Sequence, residues 1–483
     1  MSPLPRQFAA RRPIAPRARP THTRLSLIVL EERAVPSILT VDRAFSNSTA
    51  LRQYSTISAA VAAASSGDAI MVDPGLYTEV VTVNKPLTLI GSGPAATSRT
   101  GDTTQETVVQ GVSTDPLGII NLRANNVTLR GFTVQGNTQG PGVFTDPAYS
   151  GYDIEGNLIW KNNPIPDGNG NYPNTPSGGL HLNSSGNYQT LVRGNAFEDH
   201  YAESFGDGVY TELTVNNALI DHNFFAGNVH YSVDFAGAAS DPGFPGFKRL
   251  YPRSANVLVT NNTVEQSGGF LVQYANDIQV SGNTITQATR TGVYVGGNVR
   301  GVTISNNVLD VAVEVQNLYI HGKHTGIFVG TLDIPGQIQN VVVSGNTVMG
   351  FRNGVWLAGS ASTGAVSRVT VAGNTITGSN NTLTGGPAYG DFGDPAGYGI
   401  LLWDANNNTV QNNSTTGNVA NGIYVDAASA GNTFTGNTAT GNDVGGSDGG
   451  YDLYDASAGN RTAGTADTWS GNTFGTAFPP GLG

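Results

Sequence analysis

Leu258-Val259-Thr260-Asn261-Asn262-Thr263-Val264 is one copy of a phrase that this chain repeats. Alternating apolar residues run into a turn pair ending in Asn, usually Gly-Asn or Asn-Asn, and leave through a small and an apolar residue. Leu191-Val192-Arg193-Gly194-Asn195-Ala196-Phe197 and Leu219-Ile220-Asp221-His222-Asn223-Phe224-Phe225 follow the same form, and its Asn returns at Asn157, Asn283, Asn307, Asn346, Asn374, Asn413 and, on the early side, Asn137. A second phrase, Gly-apolar-x-apolar, alternates with it, as in Gly292-Val293-Tyr294-Val295, Gly354-Val355-Trp356-Leu357 and Gly422-Ile423-Tyr424-Val425. Period-two runs broken by Gly and Asn are short β-strands and leave no helical face. Two or three such strands in about 20–24 residues, repeated in register, form one rung of a parallel β-helix. Rungs stack at about 4.8 Å. An Asn at fixed phase suits a turn with left-handed backbone and lets successive amides hydrogen-bond as a ladder.

Composition limits the alternatives. The 483 residues include 64 glycines, 46 asparagines (44 of them after residue 120) and no cysteine. Glycine without a three-residue period excludes collagen, and 38% hydrophobic content excludes a disordered acidic chain. Disulfides, thiol nucleophiles and thiolate metal sites are ruled out. No apolar run reaches about 18 residues, so no helical membrane span is expected. Residues 1–43 hold eight arginines against Glu31, Glu32 and Asp42, which leaves 16 basic and 32 acidic residues in 44–483. Such a segment reads as a disordered basic leader ahead of one domain at 44–483. Its residues 25–37, Leu-Ser-Leu-Ile-Val-Leu-Glu-Glu-Arg-Ala-Val-Pro-Ser, resemble the N-terminal segment of many exported planctomycete proteins, which implies an extracellular or cell-surface location.

Tyr54-Ser55-Thr56-Ile57-Ser58-Ala59-Ala60-Val61, continuing through Gly67-Asp68-Ala69-Ile70-Met71-Val72-Asp73-Pro74-Gly75, resembles the opening of pectin-lyase-like right-handed β-helix proteins. Residues 406–474, with Tyr451-Asp452-Leu453-Tyr454-Asp455 and Ser470-Gly471-Asn472-Thr473-Phe474, are similar to NosD-type repeats. The resemblance implies an all-β, single-stranded right-handed parallel β-helix solenoid with a short capping helix at about 53–67 and repeats at about 68–475. Ile57, Ala60, Val61 and Ala64 supply the apolar face of that helix. The superfamily holds lyases, hydrolases, esterases, epimerases, adhesins and passive scaffolds, so activity has to be read from a site. The Asp-Asp pair and Gly-His-Gly of polygalacturonases are absent, as is the methylesterase Gly-x-x-Asp-Phe-Ile-Phe-Gly. With no Cys and three Met, copper handling is not expected.

Anchoring asparagines are 21 to 28 residues apart in 195→223, 262→283, 283→307 and 346→374 but 38 or 39 apart in 157→195, 223→262, 307→346 and 374→413. The long intervals read as insertions, at roughly 161–178, 310–325 and 379–398 on one corner and 234–255 on another, and insertions in solenoids commonly carry sites. Residues 197–253 hold 11 of the 40 aromatics and three of the seven histidines. Within them Asp221, His222, His230, Asp234, Lys248 and Arg249 are candidate acid, base and charge-stabilising groups, with Asp199-His200 beside them. Tyr201, Tyr210, Tyr231, Tyr251 and Arg253 are candidate substrate contacts, the tyrosines offering flat faces to sugar rings. The plain alternative is structural: Arg193 and Asp221 share a phase and would stack on neighbouring rungs as a salt bridge. His321 and His324, with Asp391 and Asp394 about 10 Å further along the axis, are candidate ligands for Ca²⁺ or a transition metal. The acidic balance opposes nucleic acid and polyuronates. The expected partner is an extracellular glycan, neutral or weakly charged, bound by a monomer and processed if a lyase-, hydrolase- or epimerase-like centre is present. The alternative is a non-catalytic cell-surface adhesion or scaffold solenoid.

Overall fold

The computed structural model describes residues 36–114, 116–165, 177–201, 206–236, 253–311, 324–332, 335–380, 397–444 and 450–483. Residues 36–483 form a single compact unit. Each rung gives one strand to each of three parallel sheets, for example Asn216–Asp221 to the first, Phe224–Ala226 to the second and Val233–Phe235 to the third. The sheets contain 17, 14 and 14 strands among the described residues, and the chain is the solenoid its repeats predict. Inward positions of successive rungs stack into apolar columns. Val209, Val233, Phe270 and Val293 make one in the third sheet, and Ile159, Phe197, Phe225 and Val264 another in the second. All eight are at most 1% exposed, so the core is continuous along the axis. Phe197 and Phe225 stack with centroids 5.1 Å apart.

The Asn phrase has the role its spacing predicts. From Asn195 to Asn472 each anchor's Oδ1 accepts both the backbone N–H and the Nδ2–H of the anchor one rung earlier, beginning with Asn157, at 2.9–3.0 Å. The residue before each anchor has φ between +51° and +66°, which explains the Gly or Asn found there. His222 occupies this position in its rung at φ +51°. Because one ladder step crosses every long interval, each is a single rung with an insertion and none hides an extra rung. Three of the insertions join second-sheet to third-sheet strands at one corner, and the one at 234–255 joins a third-sheet to a first-sheet strand at another. The third sheet is thus bordered by insertions on both margins.

Two sequence expectations are corrected. Residues 38–41, assigned above to the leader, form the first strand, paired with Ala69–Val72, and bury Leu39 and Val41. Asn137 does not belong to the main ladder: its N–H donates to Asn162 Oδ1 at a different corner. The capping helix is present at Ile57–Ala63 with Ile57, Ala60 and Val61 buried. Glu79 accepts the Ile57 and Ser58 N–H groups at its start (both 2.9 Å), and Lys85 Nζ donates to the Val61, Ala62 and Ala64 carbonyls at its end. Both ends of this short helix are therefore satisfied by side chains, where water would otherwise be the partner.

Candidate functional site

The outer face of the third sheet carries a ladder of its own. The register aligns Phe144, His181, Tyr210, Asp234, Leu271, Tyr294 and Phe328 on consecutive rungs. Strand alternation dictates the direction: Val233 and Phe235 face the core, so Asp234 between them faces outward, a carboxyl among rings and aliphatic groups. Asp207 joins it from the preceding rung. Gly208 has no room for a side chain, since a Cβ there would lie 2.5 Å from the Phe225 ring, and Asp207 beside it turns to the outer side.

His230 Nδ1 lies 2.9 Å from Asp207 Oδ1 and 3.5 Å from Asp234 Oδ2, and one donor atom from each of the three residues falls within 4.8 Å of the others. The Tyr231 N–H donates to Asp207 Oδ1 at 2.8 Å. Both carboxyls are buried, and Asp207 Oδ2 and Asp234 Oδ1 have no hydrogen-bond partner among the described residues. Burial drives both carboxyls well above the ordinary carboxylate range; in Asp234 the neighbouring Asp207 adds to it, while Arg290 works against it in both. With one donor atom of each within 4.8 Å, the two acids oppose each other's ionisation. Arg290 Nε donates to the Val229 carbonyl at 3.0 Å and its guanidinium lies 5.7 Å from the Tyr231 ring centre, which secures the segment carrying His230. One nitrogen and two oxygen donors could also hold a divalent cation of zinc's class, with the Arg290 charge opposing it.

Of the residues singled out by sequence, His230, Asp234, Tyr210 and Tyr231 meet here. Tyr210 is Asp234's neighbour on the ladder, and Tyr231 packs edge-on against His230 at 4.7 Å. Asp221 and His222 lie on the first sheet instead: Asp221 bonds His222 Nδ1 (2.6 Å), Thr260 Oγ1 (2.6 Å) and Asn261 Nδ2 (2.9 Å). The expected Arg193–Asp221 bridge does not form although the two are register partners; Arg193 instead reaches Asp153 (3.6 Å) and Glu155 (3.5 Å) on the preceding rung. Tyr201 donates to Asp199 at 2.8 Å, and Arg253 to the Asn298 carbonyl at 2.7 Å. His324 has left-handed backbone at φ +42°. Lys248, Arg249, Tyr251, His321, Asp391 and Asp394 lie outside the described residues. Asp207 and Arg290 were missed. Asp207 had a readable signal, because it directly precedes the glycine of Gly208-Val209-Tyr210, a place filled by Thr291, Thr325, Asn353, Tyr398 and Asn421 in other rungs.

His181, two rungs before Asp234, stands between Phe144 (5.5 Å) and Tyr210 (5.2 Å). Burial pushes its pKa down to about 4, partly offset by a bond to the Pro116 backbone. The folded state therefore holds it neutral while the unfolded chain protonates it below about 6.5, so its stabilisation is present above 6.5 and is lost as pH falls. In His181→Phe, denaturant unfolding compared with the unaltered chain should show a relative gain of about 1.4 kcal/mol per pH unit between about 6.5 and 4. A difference that does not change with pH would contradict the buried neutral ring.

A model of the right-handed β-helix region matches residues 98–376, more than half the chain, and one described as the periplasmic copper-binding protein NosD matches 310–464. Of the two histidines in the latter span, His324 is among the described residues and His321 is not. No curated protein matches the chain. Solved structures with a similar trace include the Dettilon tailspike protein (16% identity, TM-score 0.47, 83% of this chain and 66% of that one) and the catalytic unit of an α-1,3-glucanase from Streptomyces thermodiastaticus (16%, 0.48, 87% and 65%). A PL6 alginate lyase in complex with a trisaccharide is another (14%, 0.48, 91% and 84%). This chain thus spans just under two-thirds of the first two.

Proposed function

The chain belongs to the right-handed β-helix family, and on that scaffold we propose an exported enzyme that hydrolyses a neutral glycan at Asp207, His230 and Asp234. The observation that carries this reading is the gathering of two buried carboxyls around one partly buried imidazole, one donor atom of each within 4.8 Å of the others, on an outer sheet face otherwise lined by rings and aliphatic groups. Asp207, held by the Tyr231 N–H and by His230, is the better stabilised anion, and Asp234 keeps the proton. Asp234 passes that proton to the glycosidic oxygen as the C–O bond breaks, Asp207 takes the anomeric carbon, and a water deprotonated by Asp234 releases the sugar. One oxygen of each carboxyl lies within 4.8 Å of the other, nearer to the roughly 5–5.5 Å spacing of retaining pairs than to the 6.5–9.5 Å of inverting ones, so the anomeric configuration is expected to be retained. The 32 acids against 16 bases after residue 43 favour a neutral chain over a polyuronate. Export rests on the resemblance of residues 25–37; among the described residues no helix is long and apolar enough to cross a membrane.

A second reading, a scaffold or adhesion solenoid, draws on the same contacts: Asp207 also ties down the 229–231 turn, a structural role sufficient by itself. The test is to incubate the full chain with neutral and acidic polysaccharides, with Ca²⁺ or EDTA, and to follow products by mass spectrometry and anomeric NMR. Neutral fragments heavier by one water and of retained configuration are expected. Unsaturated or epimerised uronates would replace hydrolysis with another chemistry, and a blank across the panel would favour the scaffold.

A further inference from the structure

Past Leu401 the outer face of the third sheet changes character. Its outward positions at Leu271, Tyr294, Phe328, Trp356 and Leu401 are at most 5% exposed and pack into one apolar cluster. The register then brings Tyr424, Tyr454 and Phe478 into the same row on the last three strands, and exposure rises until it reaches 42% at Phe478. Trp403, two residues after Leu401 and so on the same face, is 40% exposed and meets no other ring among the described residues. Of the three aromatic residues exposed among the described ones, two therefore belong to this patch. Large apolar groups gathered at a surface mark a place of contact.

The chemistry of the patch selects what it contacts. Tyr424 and Tyr454 stack with planes 3° apart and centroids at 5.0 Å, and Tyr454 and Phe478 with planes 20° apart at 5.1 Å. The stack follows the rise of the rungs, about 4.8 Å and roughly the length of one sugar, so its two phenols repeat along the axis. The Tyr77 and Tyr152 hydroxyls lie against backbone carbonyls, but those of Tyr424 and Tyr454 have no hydrogen-bond partner among the described residues. Burial, with Tyr398, Tyr454 and Asp426 adding to it, pushes the Tyr424 phenol up to about 12, so it stays a neutral donor. Trp403 and the end of the stack at Phe478 supply flat apolar faces. Asp426 follows Val425, the register partner of Leu402, and so stands alongside Trp403. Its Oδ1 accepts the Asp404 N–H (3.1 Å) and the Ser429 hydroxyl (2.6 Å), which leaves Oδ2 to accept from a ligand. Residues 397–483 carry seven aspartates against the single base Arg461, a balance that repels anionic chains. Flat rings, neutral hydroxyl donors and a carboxylate acceptor without an accompanying base suit an uncharged polyhydroxylated chain.

We propose that Trp403, Tyr424, Asp426, Tyr454 and Phe478 form a holding site for a neutral glycan laid along the last rungs of the solenoid. Tyr424 stands six rungs beyond Asp234, roughly 29 Å, with closed rungs between them, so this site is separate from the acidic centre and does not depend on hydrolysis there. The experiment is native electrophoresis of the full chain through gels containing hydroxyethylcellulose, galactomannan, arabinoxylan, dextran or, as the acidic control, alginate. At least one neutral polymer should retard the chain and alginate should not. Trp403→Ala and Phe478→Ala should each weaken that retardation about tenfold, the loss of one stacked ring, while Asp234→Asn leaves it unchanged. If either alanine variant loses its cooperative melt, Tyr454→Phe decides in its place, since it keeps the stack and removes one hydroxyl; a severalfold weakening supports the site and none overturns it. Retardation by no neutral polymer, or retardation that the ring variants retain, would overturn the site and leave the hydrolase reading untouched. Sedimentation velocity covers the other occupant: a dimer that Trp403→Ala returns to monomer would assign the patch to a second copy of the chain and overturn the glycan.

Discussion

Asp234→Asn should lower turnover about 10²–10⁴-fold and leave the fold as stable as before or more so. Proton transfer by a positioned acid contributes about 10²–10⁴-fold, and an amide of the same shape cannot supply it. Asp207→Asn should do the same, because the amide is a far weaker nucleophile than the carboxylate it replaces. The stability side has the opposite sign from an ordinary loss of contacts. Burial holds both acids away from their charged forms, so at neutral pH the pair costs the folded state free energy, and a neutral amide removes that cost. In Asp207→Asn the amide oxygen could still accept from the Tyr231 N–H, so the turn keeps that anchor. Activity falling while the melting temperature holds or rises is the mark of a site maintained against stability. Variants that unfold several degrees earlier would show that these contacts are structural, and full activity in either would remove the residue from the mechanism.

The repeat was legible because one physical requirement recurs in every rung: a left-handed residue followed by an amide that both donates and accepts. That fixes the Gly-Asn phrase and, through the interval lengths, the insertions. The site was legible only in part. His230 and Asp234 could be picked out as polar residues in an aromatic-rich region, but nothing local shows that His230 turns toward the third sheet while His222, eight residues earlier, is spent on a turn. Arg290 is invisible for a related reason, since it acts on a carbonyl 61 positions earlier in the chain, at Val229. Asp221 and His222 looked catalytic because adjacent acid and base are a familiar pairing; in three dimensions they are the turn residues of one rung, bonded to each other and to the next turn.

Asn283→Ala should cost about 3–5 kcal/mol, out of proportion to the three side-chain atoms removed. Its Oδ1 accepts from Asn262 N and Nδ2, and its Nδ2 donates to the Val259 carbonyl and to Asn307 Oδ1, all at 2.9 Å. Truncation leaves the Asn262 N–H and the Val259 carbonyl without those partners inside the solenoid, at about 1–3 kcal/mol for each buried group that stays unsatisfied. The ladders' ends show why the residue must be an amide in the middle. At Asp467 and Asp452 a side ladder ends in an aspartate that accepts from Asn432 and Asn442, and Asp452 accepts as well from the Gly475 and Thr476 N–H groups that follow, so the terminal side chain has only to accept. A carboxylate suffices there, and Asp467 even rises to about 6, chiefly through burial, so Asp467→Asn should be neutral or stabilising above that pH. In mid-ladder a carboxylate would set oxygen against the Val259 carbonyl and Asn307 Oδ1, so Asn283→Asp should be at least as damaging as Asn283→Ala. Denaturant unfolding of the three variants separates the possibilities. If Asn283→Ala costs less than about 1 kcal/mol, the ladder is decoration and the apolar columns alone hold the rungs in register. If it costs what the bonds imply while Asp467→Asn costs nothing, the polarity of the amide, donor toward one neighbour and acceptor toward the other, sets the direction in which rungs can be added.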